Sequence, residues 1–315
     1  MALRLSALLS LVIVALVTSP LIVSARANRP VTAAATTSAS NARISASQSV
    51  IVPTIAVASP VTRDAGVLAS NLQQLAVASG GTVGVSVVEL GGSDQLSWSF
   101  GSDAVFTAAS TYKLVALMME AQSIAAGTTD PNGIVCFAPS DYEAGWFDDY
   151  EPGACFTRNE LASRAAKQSD NTAGHMLVRD VGGADALNAW AAAAGATSSA
   201  FFVGNTTSPA DLAVLWVAEA SGELGGVAAQ AWLYPLLTDT TTEAGVPAGT
   251  GAGATVVHKT GTIDAVENDA ALVTAGPDGP YVLVVMTDGL GGDAGWSLIA
   301  AISAAVWQLE SSRSQ

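Results

Sequence analysis

Residues 90–118, LGGSDQLSWSFGSDAVFTAASTYKLVALM, decide how this chain folds. QLSWSF (95–100) is a short extended run, and a second one, TVGVSVVEL (82–90), lies before it across the turn Gly91-Gly92-Ser93-Asp94. Two such runs joined by turn residues predict a β-hairpin. From Ser110 the pattern changes: STYKLVALMMEAQSIAA (110–126) is strongly helical, with Ser110 at or beside its N-cap. Upstream, AGVLASNLQQLAVAS (65–79) spaces its apolar side chains as a helix does, and Gly80-Gly81 stops it.

Downstream, the middle third is Ala-rich, and helices are predicted over 157–167, 170–181, 183–194, 208–222 and 226–237. The last third returns to extended structure in ATVVHKTG (254–261), NDAALVTA (268–275) and PYVLVVMTDG (280–289), and WSLIAAISAAVWQLE (296–310) closes the chain as an amphipathic helix. The element order implies an α/β domain over 63–315, with a sheet drawn from both chain ends (63–109 and 254–312) and a helical part, 110–253, inserted between them. No G-x-G-x-x-G opens a helix, so a nucleotide-binding fold and its cofactor are not expected.

Residues 1–27 carry one early cation, Arg4, an apolar run over 5–23 and the ending Ala25-Arg26-Ala27. That layout reads as a signal peptide cleaved after Ala27, and hence as a secreted or cell-surface protein; the alternative is an uncleaved membrane tether through residues 5–23. Residues 28–62, rich in Ala, Ser, Thr and Val, read as a disordered linker. From Asp64 onward the chain sets all 27 of its carboxylates against seven cations, Lys113, Arg158, Arg164, Lys167, Arg179, Lys259 and Arg313. Such a balance argues against nucleic acid and anionic lipid as partners. The two cysteines, Cys136 and Cys155, are too far apart for a C-x-x-C redox pair, and an oxidising compartment permits them to close a short disulfide loop. His175 and His258 have no metal-site spacing; no metal is expected, and His175 reads as a packed neutral side chain.

Ser110-Thr111-Tyr112-Lys113 is an S-x-x-K at a helix start, which sets the hydroxyl and the amine on one face, one turn apart. A serine is a weak nucleophile until a neighbouring base takes its proton, and an amine buried enough to be neutral can do so. Alone the motif also fits an ordinary cap and a surface lysine. Ser169-Asp170-Asn171 and Lys259-Thr260-Gly261 follow in order, the second within a predicted strand. With these three motifs the chain resembles the β-lactamase and penicillin-binding superfamily of serine hydrolases, class A β-lactamases most closely, over nearly all of residues 64–310.

The resemblance implies an antiparallel five-stranded sheet flanked by helices, a monomer, and a small-molecule β-lactam or a peptidoglycan stem peptide as substrate. It implies that Ser110 attacks the carbonyl and that Lys113 and Ser169 relay protons. Asn171 would bind the substrate's side-chain amide, Lys259 would place positive charge beside Ser169, and Thr260 and Thr262, flanking Gly261, would hold its carboxylate. The backbone N–H groups of Ser110 and Thr262 would form the oxyanion hole.

The family's long Ω-loop carries the glutamate that activates the deacylating water, whereas the corresponding stretch here, TSSAFFVGNTTS (197–208), is short and has no carboxylate. A long-lived acyl-enzyme is expected, as in penicillin-binding proteins. Glu219 and Glu223 lie beyond that loop in a helix with a structural role. Val266-Glu267-Asn268-Asp269 stands where the family often has an arginine; Glu267 either faces the pocket and repels a carboxylate or points to solvent. SDYEAGWFDDYEPGA (140–154), between the cysteines, is either a lid over the site or a solvent-facing disulfide loop. Within the serine-hydrolase reading, the choice lies between a hydrolytic β-lactamase and a D,D-peptidase-like enzyme; outside it, the alternative is a non-catalytic, wall-associated module of the same fold.

Overall fold

The structure, a computed structural model, describes residues 60–92 and 95–314. The signal peptide and nearly all of the linker expected before Pro60 lie outside the described residues. In chain order the elements are α1 (Pro60–Ser79), β1 (Thr82–Glu89), β2 (Ser97–Phe100), β3 (Phe106–Thr107), α2 (Tyr112–Ala125), β4 (Ile134–Cys136), β5 (Cys155–Thr157), α3 (Arg158–Lys167), α4 (Asn171–Asp180), α5 (Gly183–Ala193), β6 (Thr206–Thr207), α6 (Pro209–Ala220), α7 (Gly226–Leu233), α8 (Val246–Gly249), β7 (Val256–Ile263), β8 (Val266–Val273), β9 (Tyr281–Asp288) and α9 (Asp293–Arg313). Pro60 opens α1, a position that suits its fixed φ.

The sheet expected from both chain ends is present, in the order β2-β1-β9-β8-β7 and antiparallel throughout. β9 joins the two ends: Thr82 of β1 faces Asp288 and Glu89 faces Tyr281. Its apolar run is continuous because both faces are covered. Val282, Val284 and Met286 point into the core shared with α2 and α6, while Tyr281, Leu283 and Val285 point to α1 and α9. On that second side Leu68 and Leu72 of α1 meet Ile299, Ile302 and Val306 of α9.

α2 is buried on almost every side, from Tyr112 to Met118, so its lysine is enclosed with the apolar residues. Ser110 does not cap that helix. It sits in a 3₁₀ turn, Ala109–Thr111, ahead of it, and Thr111 occupies the N-cap with no side-chain hydrogen bond to the helix. The Ser110 hydroxyl is therefore free for other partners. α3, α4 and α6 do carry side-chain caps, from Thr157, Asp170 and Ser208.

Two features of the inserted part differ from the expectation of an all-helical segment. β4 pairs with β5 and β3 with β6, ladders of two or three residues that leave no legible period. The helix predicted to 237 ends at Leu233 and continues as a 3₁₀ turn, since Pro235 has no N–H to donate. Cys136 and Cys155 stand opposite each other in the β4–β5 ladder and form a disulfide.

Candidate active site

Two backbone features build the site around Ser110. The first is the left-handed conformation of Ala109, φ 47°. A residue with a Cβ holds that conformation only when its surroundings insist. The surroundings are Asn205, whose Nδ2 donates to Ala109 O at 3.0 Å and whose carbonyl accepts from Ala108 N at 2.8 Å. The second is the close approach of β7: a Cβ on Gly261 would lie 2.8 Å from Ala108 O, so only glycine lets the strand reach the Ser110 turn. Gly174 on α4 acts similarly, since its Cβ would meet Lys113 Cε at 2.7 Å.

These approaches converge on Lys113. Its Nζ lies 2.9 Å from Ser110 Oγ, 2.6 Å from Ser169 O, 2.5 Å from Asn171 Oδ1 and 3.4 Å from Ser169 Oγ. Burial holds the Lys113 amine well below the usual lysine range, and the charge of Lys259 pushes it the same way, against Asp170 and Glu143. A neutral amine has two hydrogens and one lone pair. In that form Ser169 O and Asn171 Oδ1 can accept both hydrogens, with the lone pair left to the Ser110 hydroxyl.

Ser169 lies between two amines. Its φ is 58°, and its Oγ accepts from Lys259 Nζ at 3.0 Å on one side while facing Lys113 on the other. Burial lowers the Lys259 amine to about 7, partly opposed by Asp269, and its Nζ also donates to Thr260 O at 2.8 Å. Ser110, Lys113, Ser169, Asn171 and Lys259 are thus linked in one hydrogen-bonded chain drawn from α2 and the turn before it, the start of α4, and β7.

Ser110 opens into a cleft of about 330 Å³ lined by Ala109, Tyr112, Glu143, Asn171, His175, Phe202, Asn205, Thr262 and Ile263. A cleft of about 360 Å³ between β1, β2 and α6 has serines and Glu223 in its lining but no lysine or histidine beside any of those serines. Among the described residues no group of three His, Cys, Asp or Glu side chains could hold a metal ion.

Several cleft residues were not singled out by their spacing. Phe202 and Asn205 come from the short loop that the sequence marks only for lacking a carboxylate. Ala200 pairs with Thr206, and β6 with β3, so the loop folds back on itself against the Ser110 turn. Phe202 stacks edge-on to both Tyr112 and His175, with centroids 5.4 and 5.1 Å apart. His175, expected to be packed away, lies on the cleft wall.

Glu143 comes from the disulfide loop, which is a fixed wall of the cleft. Glu143 N donates to Thr172 Oγ1 at 3.0 Å and Tyr150 OH donates to Asp170 at 2.8 Å, tying the loop to the start of α4. Arg164 pairs with Asp149 and packs over the rings of Phe147, Tyr150 and Phe156. Glu267 does not point to solvent: it is buried, accepting from Thr262 Oγ1 at 2.6 Å and from Gly292 N at 2.8 Å.

The chain matches the profile of the "Beta-lactamase enzyme family" over residues 67–309. The chain belongs to that family. Among solved structures, the enzyme is similar to PBP-A at 30% identity and TM-score 0.70, covering 76% of this chain and 95% of that one. It is similar at 25% identity and TM-score 0.68 to a β-lactamase from Sphaerobacter thermophilus, covering 76% of this chain and 97% of that one. An ancestral class A β-lactamase matches at 25% identity and TM-score 0.67, with 76% and 99% covered. No curated protein matches. The enzyme is thus a class A β-lactamase-like or penicillin-binding-protein-like serine hydrolase, with the expected fold.

Proposed function

We propose that the enzyme acts outside the cytoplasm, is acylated at Ser110 by β-lactams and related amides such as peptidoglycan stem peptides, and releases the acyl group slowly. The observation that carries this reading is the buried Lys113 amine, 2.9 Å from Ser110 Oγ and within hydrogen-bonding distance of Ser169 O and Asn171 Oδ1. Lys113 takes the Ser110 proton as Oγ bonds to the carbonyl carbon, and the carbonyl electron pair moves to oxygen, held by the backbone N–H groups of Ser110 and Thr262. When the intermediate collapses, the leaving nitrogen takes a proton from Ser169, which regains one from Lys113. The proton removed from the nucleophile thus ends on the leaving group. Lys259, buried behind the cleft, steadies Ser169.

Slow release follows from the wall opposite. A water attacking the ester needs a base, and the loop that supplies one in class A enzymes presents Phe202 here. One of the similar structures, a mutant of PBP-A, is described as an acyl-enzyme complex with penicillin G, at 30% identity and TM-score 0.70 over 78% of this chain and 96% of that one. An extracytoplasmic setting is supported by the apolar leader and by the Cys136–Cys155 disulfide.

Intact-mass spectrometry of the full chain mixed with benzylpenicillin tests the reading. The expected result is a single adduct on the peptide containing Ser110 that persists for hours and is absent from Ser110→Ala. An adduct on that variant, or none on the native chain, would remove the nucleophile assignment. A transient adduct with consumption of penicillin would instead overturn slow release and indicate a hydrolytic β-lactamase.

A further inference from the structure

Two polar side chains in the lining of the cleft already donate to carboxylates. Asn171 donates from Nδ2 to Glu143 Oε1 at 2.6 Å, while its Oδ1 accepts from Lys113. Thr262 donates its hydroxyl hydrogen to Glu267, a group whose other oxygen already accepts from Gly292 N. A hydroxyl has one hydrogen, so Thr262 presents only lone pairs to the cleft. Glu143 is itself held in place: its Oε2 lies 3.3 Å from His175 Nε2, its backbone is tied to Thr172, and its side chain keeps 52% of its surface exposed. No arginine lines the cleft.

A substrate carbonyl approaching Asn171 therefore finds one of the two amide hydrogens already engaged by a carboxylate, whereas a donor in the same place finds Glu143 held and half open. We propose that the enzyme selects amides whose acyl part carries a protonated amine beside its side-chain carbonyl, with Glu143 as the residue that binds the ammonium. The inference rests on the acylation of Ser110 proposed above. An ammonium gains a charge-assisted hydrogen bond to Glu143 without displacing it, while a neutral side chain has only the second Asn171 amide hydrogen to bind. The excess of carboxylates over cations in the chain, net −15, adds a long-range attraction for a cationic substrate.

Ampicillin and benzylpenicillin differ by that one amine, and both carry the same ring carboxylate. The test is the second-order rate of Ser110 labelling of the full chain by each, at a pH where the amine is protonated, in the native chain and in Glu143→Gln. Ampicillin is expected to label the native chain roughly tenfold faster, the size of one charge-assisted hydrogen bond, with the ratio falling to about one in the variant. General damage from the substitution would slow both penicillins alike and leave the ratio in place. Equal rates on the native chain, a faster benzylpenicillin, or a preference that survives Glu143→Gln would each overturn the proposal. Labelling by neither would overturn acylation itself, and this inference with it.

Discussion

At the scale of single residues, the site depends on how closely β7 approaches the Ser110 turn. In Gly261→Ala the new Cβ would meet the backbone oxygen of Ala108 at 2.8 Å, which cannot swing aside as a side chain would. We expect acylation by benzylpenicillin to slow by roughly tenfold or more, because sub-ångström placement governs the reaction, with a loss of about 1–3 kcal/mol in denaturant unfolding from overpacking. Equal rates in the variant would mean that the strand is not held by this contact. The residues of the three motifs are legible in the sequence because S-x-x-K sets a hydroxyl one turn from an amine and because the three motifs in that order resemble a known family, and the structure brings them together. Glu143, Phe202 and Asn205 are not legible, because nothing local links them to Ser110. Their role arises from two loops that meet it only in the folded chain. Glu267 shows the limit of alternation as a guide, since a side chain on a doubly covered strand has no solvent side to choose.

At the scale of elements, the loop over 197–208 and the disulfide loop divide the work of forming the cleft. The first presents the ring of Phe202 to the cleft. Phe202→Glu is expected to shorten the life of the penicillin adduct by at least roughly tenfold, below the usual range of general-base catalysis because the new carboxylate has no supporting shell, read as the decay of the adduct mass with time. An unchanged lifetime would place the deacylating water elsewhere. The second loop is closed by Cys136 and Cys155 and tied to α4 by Glu143 and Tyr150 and to α3 by Arg164. Replacing both cysteines by serine is expected to lower stability by about 3 kcal/mol in urea unfolding. The long helices and the five strands follow from their periods and caps, whereas β3 to β6 escape notice because a strand of two or three residues is specified by its partner and not by itself.

At the scale of the whole molecule, buried acids shape the response to pH. Burial raises Glu120 and Glu219 to about 7 and Glu310 to about 8, all from 4.5. A group whose pKa is higher folded than unfolded stabilises the fold below its unfolded value, and that contribution is lost as pH rises through the folded one. Stability should therefore fall between pH 5 and 7. Above that, His258, raised to about 9 by Asp269 and Glu243 against its burial, continues the loss, while Lys259, lowered to about 7, and Lys113, held well below its usual range, oppose it. Glu219→Gln should flatten the first part of the curve, gaining about 2 kcal/mol at about pH 8 relative to about pH 5. Thermal unfolding across this range checks it, and a native curve that rises over the same interval would contradict the assignment. The pairing of Thr82 with Asp288 has a further consequence for how the protein is made. Until the last strand has been synthesised, β1 lacks the neighbour that covers its inner edge, so the nascent chain has no way to complete the sheet early. A sheet closed only by its last strand folds after synthesis of the chain is nearly complete.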